Sequence, residues 1–160
     1  MAKSMSTTAE LLEKRQRILV TGGAGFIGGA VIRRLLRESN AIVFNLDKMG
    51  YASDLTSINE VIQELGVEHQ NRHQLQAINL CDAKAVQQAV KDADPDLVMH
   101  LAAESHVDRS ISGPGVFIES NVTGTYNLLQ AVRSHFEQLS PQRREQFRLH
   151  HISTDEVFGS

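Results

Sequence analysis

Asp155 and Glu156 are neighbouring carboxylates that could act as an acid and a base on one substrate. They follow Thr154 and the segment 147–153, whose apolar character predicts a short buried strand. Ligands in open α/β folds bind beyond the carboxyl ends of the strands, so this pair is expected at the functional edge of a sheet. The spacing of Ser153 and Glu156 also fits a capping box that begins a helix, a role without chemistry.

A glycine-rich segment near the start of the chain predicts a dinucleotide site. Residues 21–28 read Thr-Gly-Gly-Ala-Gly-Phe-Ile-Gly, with glycines at Gly22, Gly23, Gly25 and Gly28. Such glycines let the backbone turn sharply and approach a pyrophosphate, which is bound by free amides where the next helix begins. No Gly-Lys-Ser or Gly-Lys-Thr ends the segment, which disfavours a phosphate-only loop. The alternative is a tight strand-to-helix turn without a ligand.

Asp47 strengthens the prediction of a dinucleotide site. It ends the second expected strand about 20 residues after the glycines, the context that the dinucleotide fingerprint requires. Its carboxylate would accept hydrogen bonds from ribose hydroxyls and repel a 2′-phosphate, which favours NAD over NADP. Lys48 would soften that repulsion, and Asp47 could instead cap a turn.

Strand and helix patterns alternate from Arg17 onward and predict the elements that position these residues. Strands are expected at 18–20, 41–47, 74–80, 97–101 and 147–153, and helices at 26–38, 55–65, 83–91 and 116–136. The alternation predicts an α/β fold, a doubly wound parallel sheet with right-handed crossovers. The residues expected to face the core are Ile27, Val31 and Leu35 in the first helix, Val86 and Val90 in the third, and Phe117, Val122, Thr125, Leu128, Leu129, Val132 and Phe136 in the last.

Composition limits the class of protein. The chain has 160 residues, a net charge of −3 and one cysteine, Cys81, so a disulfide scaffold is excluded and a nucleic-acid surface is disfavoured. We expect a flexible extension over 1–16, one dinucleotide-binding domain over 17–160, no membrane span and a cytoplasmic location. His69 and His73 have the spacing of a metal pair, but their surroundings are polar and no third ligand is apparent, so no metal site is expected.

Taken together, these segments resemble the extended short-chain dehydrogenase/reductase family, and within it the 4,6-dehydratases of nucleotide sugars. The resemblance rests on residues 21–28, 100–110 (His-Leu-Ala-Ala-Glu-Ser-His-Val-Asp-Arg-Ser), 121–125 (Asn-Val-Thr-Gly-Thr) and 153–159 (Ser-Thr-Asp-Glu-Val-Phe-Gly). It implies NAD as the cofactor and a nucleotide sugar, dTDP-glucose by resemblance, as the substrate. The implied cofactor-binding residues are Gly22, Gly25, Phe26, Ile27, Gly28, Asp47, Lys48, Met49, Gly50, Asn79, Leu80, Leu101, Ala102, Ala103, Glu104, Ser105 and Ser120.

The resemblance also implies a mechanism. NAD⁺ would oxidise the sugar at C4, water would be eliminated across C5–C6, and the hydride would return to C6. Glu156 would be the base and Asp155 the acid, Thr154 would hold the C4 oxygen, and Ser105 and Thr154 would contact the sugar nucleotide. Asn79-Leu80, Met49-Gly50 and Phe158 depart from the usual residues of the family.

One motif of the family is not found in the sequence. Family members carry Tyr-x-x-x-Lys, whereas Tyr51 and Tyr126 are followed four residues later by Leu55 and Gln130. We therefore expect a chain that is truncated relative to the family, lacks the substrate domain, binds NAD weakly and turns over negligibly alone. The helix at 116–136 would contribute to a homodimer in the full-length protein. The alternatives are a nucleotide-sugar 4-epimerase and a non-catalytic dinucleotide-binding module.

Overall fold

Five parallel strands form the sheet in the computed structural model, which describes residues 16–105, 111, 113–154 and 157. The strand order is β3-β2-β1-β4-β5. The strands are β1 (Arg17–Thr21), β2 (Ile42–Asp47), β3 (His73–Ala77), β4 (Leu97–His100) and β5 (Arg148–His151). The chain moves outward from β1 to β3 and then returns to the other side of β1, which opens a crevice at the carboxyl ends of β1 and β4. Residues 1–15 of the expected extension lie outside the described part.

Helices cover both faces of the sheet. They are α1 (Phe26–Glu38), α2 (Thr56–Leu65), α3 (Ala83–Ala93), α4 (Pro114–Phe117), α5 (Thr125–Gln138) and α6 (Pro141–Gln146). Successive strand residues point to opposite faces, so Ile18 and Val20 join a core with α1 and α2, while Leu19 joins one with α3 and α5. The predicted doubly wound α/β fold is confirmed. None of the helices in this described part has the length and apolar character to cross a bilayer.

The boundaries of α1 agree with the prediction, but its buried face differs in part. Leu35 is buried as expected, together with Ile32 and Leu36. Ile27 is 62% exposed, so the prediction that it faces the core was wrong. It lies in the first turn of α1, where the helix begins beyond the end of β1 and borders a cavity instead of the sheet.

The long helix predicted at 116–136 contains a π-helical segment. This segment spans Ile118–Gly124 and lies between α4 and α5. A π-helical turn holds more residues than an α-helical turn, so it rotates the positions that follow away from a simple 3.6-residue period. Val122, inside this segment, is exposed and not buried as predicted. In α5 Leu128 and Val132 are buried as predicted, whereas Leu129 and Phe136 are exposed, so those two predictions were wrong.

The strand β5 was expected to be buried, and this was wrong. All four of its residues are exposed. It pairs with β4 in register from Leu97 with Arg148 to His100 with His151, and it is the last strand in the order of the sheet. An edge strand that is covered on neither face buries little surface, whatever its apolar pattern.

Candidate functional site

A cavity of about 410 Å³ lies at the carboxyl ends of β1, β2 and β4. Every residue predicted to bind the cofactor lines it except Met49. The lining also includes Leu46, Tyr51, Ala52, Ser53 and Ile78, which the sequence analysis did not select. Tyr51 to Ser53 lie between the acidic end of β2 and α2, and an exposed aromatic residue in such a loop was the available signal.

Two glycines allow the backbone to form the floor of this cavity. Gly22 has φ of +70°, and a Cβ there would lie 2.7 Å from the Cα and N atoms of Ala102. A Cβ on Gly28 would lie 2.1 Å from the Gly22 carbonyl oxygen. Any side chain at either position would force apart the glycine loop, the start of α1 and the end of β4.

The first turn of α1 borders the cavity with its backbone amides. Gly25 is the N-cap residue and no side chain caps the helix. The first intrahelical bond runs from the Gly29 N–H to the Gly25 carbonyl over 2.8 Å. The amides of the preceding residues of the turn therefore have no intrahelical acceptor, and the helix dipole adds positive potential at this end. This arrangement can bind a pyrophosphate.

Asp47 joins the glycine loop to the loop after β2. The residue is only 8% exposed. One oxygen accepts a hydrogen bond from the Ala24 N–H at 3.0 Å, and the other accepts from the Met49 N–H and the Ser53 hydroxyl, both at 2.8 Å. Three of its roughly four acceptor positions are thus used by the protein. The turn-capping role that the sequence left open is present, and acceptance from a ribose hydroxyl stays a prediction.

Lys48 and Glu104 form an ion pair across the cavity. The Lys48 Nζ atom lies 2.5 Å from Glu104 Oε1. Lys48 follows β2 and Glu104 follows β4, and these strands lie on either side of β1. The positive charge of Lys48 is therefore largely compensated within the chain, which limits how far it can soften the repulsion of a 2′-phosphate.

Residues 101–105 form the wall of the cavity beyond β4, and side chains hold this wall in place. Asn121 contacts Glu104 twice: its Oδ1 accepts from the Glu104 N–H at 2.8 Å, and its Nδ2 donates to the Glu104 carbonyl at 2.9 Å. The Thr21 hydroxyl accepts from the Ala102 N–H at 3.2 Å. Asn121 belongs to the π-helical segment, as does Ser120, which lines the cavity.

Asn79 and Met49 have local roles. The Asn79 Oδ1 atom, expected near an adenine, accepts a hydrogen bond from the Cys81 N–H at 3.0 Å while the residue lines the cavity. Met49 has a positive φ of 54° and contributes its amide to Asp47.

Thr154 is exposed and lies three residues beyond the end of β5. It does not line the cavity. Because β5 pairs with β4, Thr154 follows the strand next to the one that precedes residues 101–105. Asp155 and Glu156 lie outside the described residues.

His69 and His73, which have the spacing of a metal pair but were not expected to form a metal site, lie in different elements. His69 lies in a 3-10 helix, Val67–Arg72, and its Nδ1 faces Arg72. His73 begins β3, and its Nε2 lies 3.3 Å from the Asn45 amide nitrogen. Within the part of the chain that the structure describes, no group of three or more metal-ligating side chains is found.

Comparison with known proteins gives consistent results. The family model for GDP-mannose 4,6 dehydratase matches residues 19–160. A dTDP-glucose 4,6-dehydratase of Salmonella typhimurium is 46% identical over 143 residues, covering 89% of this chain and 38% of the relative. One of Escherichia coli is 48% identical over 143 residues, with coverage of 89% and 38%.

Solved structures of nucleotide-sugar enzymes are also similar to this chain. A dTDP-glucose 4,6-dehydratase from Streptomyces venezuelae, solved with NAD bound, superposes with a TM-score of 0.70 at 37% identity, covering 91% of this chain and 41% of that one. A UDP-glucose 4-epimerase from Thermus thermophilus, in complex with NAD, gives 0.61 at 30% identity, with coverage of 75% and 34%.

The chain thus spans about two fifths of the length of the relatives it matches. The resemblance to nucleotide-sugar 4,6-dehydratases that the sequence motifs indicated is confirmed, and the chain belongs to the GDP-mannose 4,6 dehydratase family.

Proposed function

We propose that residues 17–160 are the dinucleotide-binding part of a NAD-dependent nucleotide-sugar 4,6-dehydratase acting on dTDP-glucose. The observation that carries this proposal is the cavity at the reversal of strand order, with the glycine loop on one side and residues 101–105 on the other. Glycine is required at two positions of this loop, because a Cβ at Gly22 would clash with the backbone of Ala102 and a Cβ at Gly28 with the carbonyl of Gly22, which would push apart the backbone that a pyrophosphate would contact. NAD-bound relatives of the same fold support it.

Each wall of the cavity has a role in this proposal. The first amides of α1 bind the pyrophosphate, and Asp47 with the loop after β2 holds the adenosine ribose. Residues 101–105 and Ser120 orient the other half of the cofactor, which lies on the β4 side of β1. Bound NAD supplies a hydride acceptor for C4 of the sugar.

The remaining steps are assigned to Ser105 and to residues that follow β5 in the sequence. Thr154 holds the C4 oxygen, and Ser105 contacts the nucleotide sugar from the cavity wall. Oxidation at C4 acidifies the C5 proton, so Glu156 suffices as its base, and Asp155 protonates the departing C6 hydroxyl. An epimerase needs no such acid–base pair for elimination, and the sequence Thr-Asp-Glu at 154–156 therefore favours the dehydratase.

Binding of NAD by the chain tests this proposal. Gly25 has an extended backbone that any residue can adopt, and a Cβ there meets only the Gly22 carbonyl oxygen, at 3.2 Å, so a larger side chain would extend into the cavity. We expect Gly25→Val to raise the dissociation constant for NAD at least about 10-fold. Isothermal titration measures this change. Ala30→Val, on the exposed face of the same helix, is the matched control. Equal affinity of the two variants would contradict the proposal.

Turnover is a separate measurement. Neither Tyr51 nor Tyr126 is followed by lysine four residues later. We therefore expect NAD binding without formation of the 4-keto sugar when the chain is incubated with dTDP-glucose. Robust formation of that product would show that a different side chain removes the C4 hydroxyl proton.

A further inference from the structure

A buried chain of side chains runs from α5 to the wall of the cavity. The Thr125 hydroxyl lies 2.9 Å from His100 Nε2, and His100 Nδ1 lies 2.6 Å from the Thr21 hydroxyl. The Thr21 hydroxyl in turn accepts the hydrogen bond of the Ala102 N–H. His100 is 2% exposed and Thr21 is fully buried. These hydrogen bonds therefore link β1, β4 and α5 through a buried centre at His100 and Thr21, with half-buried ends at Thr125 and Ala102.

Residues 101–105 have no regular secondary structure of their own, so this wall of the cavity depends on the hydrogen bonds that it makes with Thr21. Leu101 donates its N–H to the Thr21 carbonyl at 3.2 Å, and Ala102 donates to the Thr21 side chain. A hydroxyl rotates freely unless its proton has a fixed acceptor. In the tautomer with the proton on Nε2, His100 Nδ1 accepts from the Thr21 hydroxyl and Nε2–H donates to Thr125; in the other tautomer both directions reverse, and either way the ring fixes the Thr21 hydroxyl.

We infer that His100 is a positioning residue for the half of the dinucleotide that lies on the β4 side of β1, and that it acts through Thr21 on Ala102. This rests on the proposed function. His100 itself does not line the cavity, whereas Ala102 does. The adenosine half lies on the other side of β1, against Asp47, which makes no hydrogen bond with any member of this chain.

NAD and ADP should respond differently to a change in these hydrogen bonds. ADP contains the adenosine and the pyrophosphate, whereas NAD also places a second nucleoside against residues 101–105. Removing one of the hydrogen bonds among Thr125, His100 and Thr21 should therefore lower the affinity for NAD and leave the affinity for ADP unchanged. Thr125 is the best position for the test because it lies at the far end of the chain and outside the cavity. Thr125→Val removes the hydroxyl with little change of shape, and Thr125→Ser keeps it.

We expect Thr125→Val to lower NAD affinity about 3- to 10-fold, the range of one net hydrogen bond, with ADP affinity unchanged. Thr125→Ser should restore NAD affinity to within about 2-fold of the original chain. His100→Phe keeps an aromatic ring beside His151 and removes both hydrogen bonds, so it should weaken NAD at least as much. All titrations use the full chain, with thermal unfolding followed in parallel.

The outcomes are distinguishable. Selective loss of NAD affinity with rescue by serine supports the inference. If the original chain binds both ligands and Thr125→Val binds NAD equally well, the inference is overturned and the proposed function stands. An equal loss of affinity for NAD and for ADP also overturns it, because the hydrogen bonds among Thr125, His100 and Thr21 would then only stabilise the fold. If the original chain binds neither ligand, the proposed function fails and the inference fails with it.

Discussion

The carboxylate of Asp47 serves the protein before it serves a ligand. Sequence reasoning assigned it to a ribose, because an acid at the end of the second strand has that role in dinucleotide sites. The structure adds three internal donors, from Ala24, Met49 and Ser53, which no spacing rule lists together. Asp47 thus fixes the relative position of the two loops that would enclose the adenosine.

Replacing Asp47 with asparagine should therefore cost stability. An asparagine has one acceptor oxygen and two N–H donors, so at least one of the donors that Asp47 satisfies would face another donor. We expect Asp47→Asn to lower the free energy of unfolding by about 1–3 kcal/mol, measured by urea denaturation. Glu60→Gln, on an exposed position of α2, is the control. If the two variants were equally stable, the internal role of Asp47 would be refuted.

His100 should make the fold sensitive to acid. Burial, and secondarily the nearby His151, lower the pKa of His100 from 6.5 to about 4. The unfolded chain then binds more protons between these values, so stability is complete above pH 6.5 and falls as the pH drops toward 4. Thr21, Thr125 and His151 are the groups that face this ring.

The acid sensitivity is measured as the difference in the free energy of unfolding between two pH values. Between pH 7 and pH 4.5 the original chain should lose about 2–3 kcal/mol more stability in urea denaturation than His100→Phe, which cannot titrate. Carboxylates titrate in both proteins and cancel in the comparison. An identical loss in the two proteins would mean that His100 does not carry the acid sensitivity.

At the scale of elements, the sequence predicted where helices and strands lie better than which faces they bury. The bounds of α1 were correct, and Val86 and Val90 of α3 are buried as expected. The prediction for Val122 was wrong where the helix becomes π-helical, and nothing in local propensity specifies where such a turn forms. The exposure of β5 depends on what covers it, which is a tertiary property.

The π-helical segment lies beside the cavity, where Ser120 was expected, and it also makes a contact through Asn121 that the sequence motifs did not predict. It places Ser120 at the cavity and Asn121 at Glu104, while the following residue Thr125 contacts His100. Three side chains of one short helical stretch thus reach the region beyond β4. Extra turns of this kind often occur at functional sites for the same reason.

Removing the Asn121 amide should release the cavity wall. In Asn121→Ala the N–H and carbonyl of Glu104 lose both side-chain partners, a cost of about 1–3 kcal/mol locally. We expect the Glu104 amide to exchange its hydrogen at least about 5-fold faster, since that cost exceeds 1 kcal/mol. Val122→Ala, at a 58% exposed neighbouring position, is the control. Unchanged protection of Glu104 would show that another contact holds the wall.

Over the whole molecule, topology was the most predictable feature and the site was predictable because of it. Parallel strands align their carboxyl ends, so Gly22, Asp47 and Ala102 were expected at one edge although they are far apart in sequence. Sequence could not show the Lys48–Glu104 ion pair or the buried chain through His100, since both depend on side chains from separate elements.

Ligand-dependent hydrogen exchange tests this organisation in one experiment. NAD should bridge the glycine loop, the loop after β2 and residues 101–105, because these three segments line one cavity across β1. At the same multiple of their dissociation constants NAD and ADP must stabilise the chain equally, by about 2.7 kcal/mol at 100-fold excess. The distribution should differ: both ligands protect amides of 22–28 and 47–53, and NAD alone protects 101–105. Protection of 101–105 by ADP as strong as that by NAD would place the adenosine half on the β4 side, and the proposed orientation of the cofactor would then be reversed.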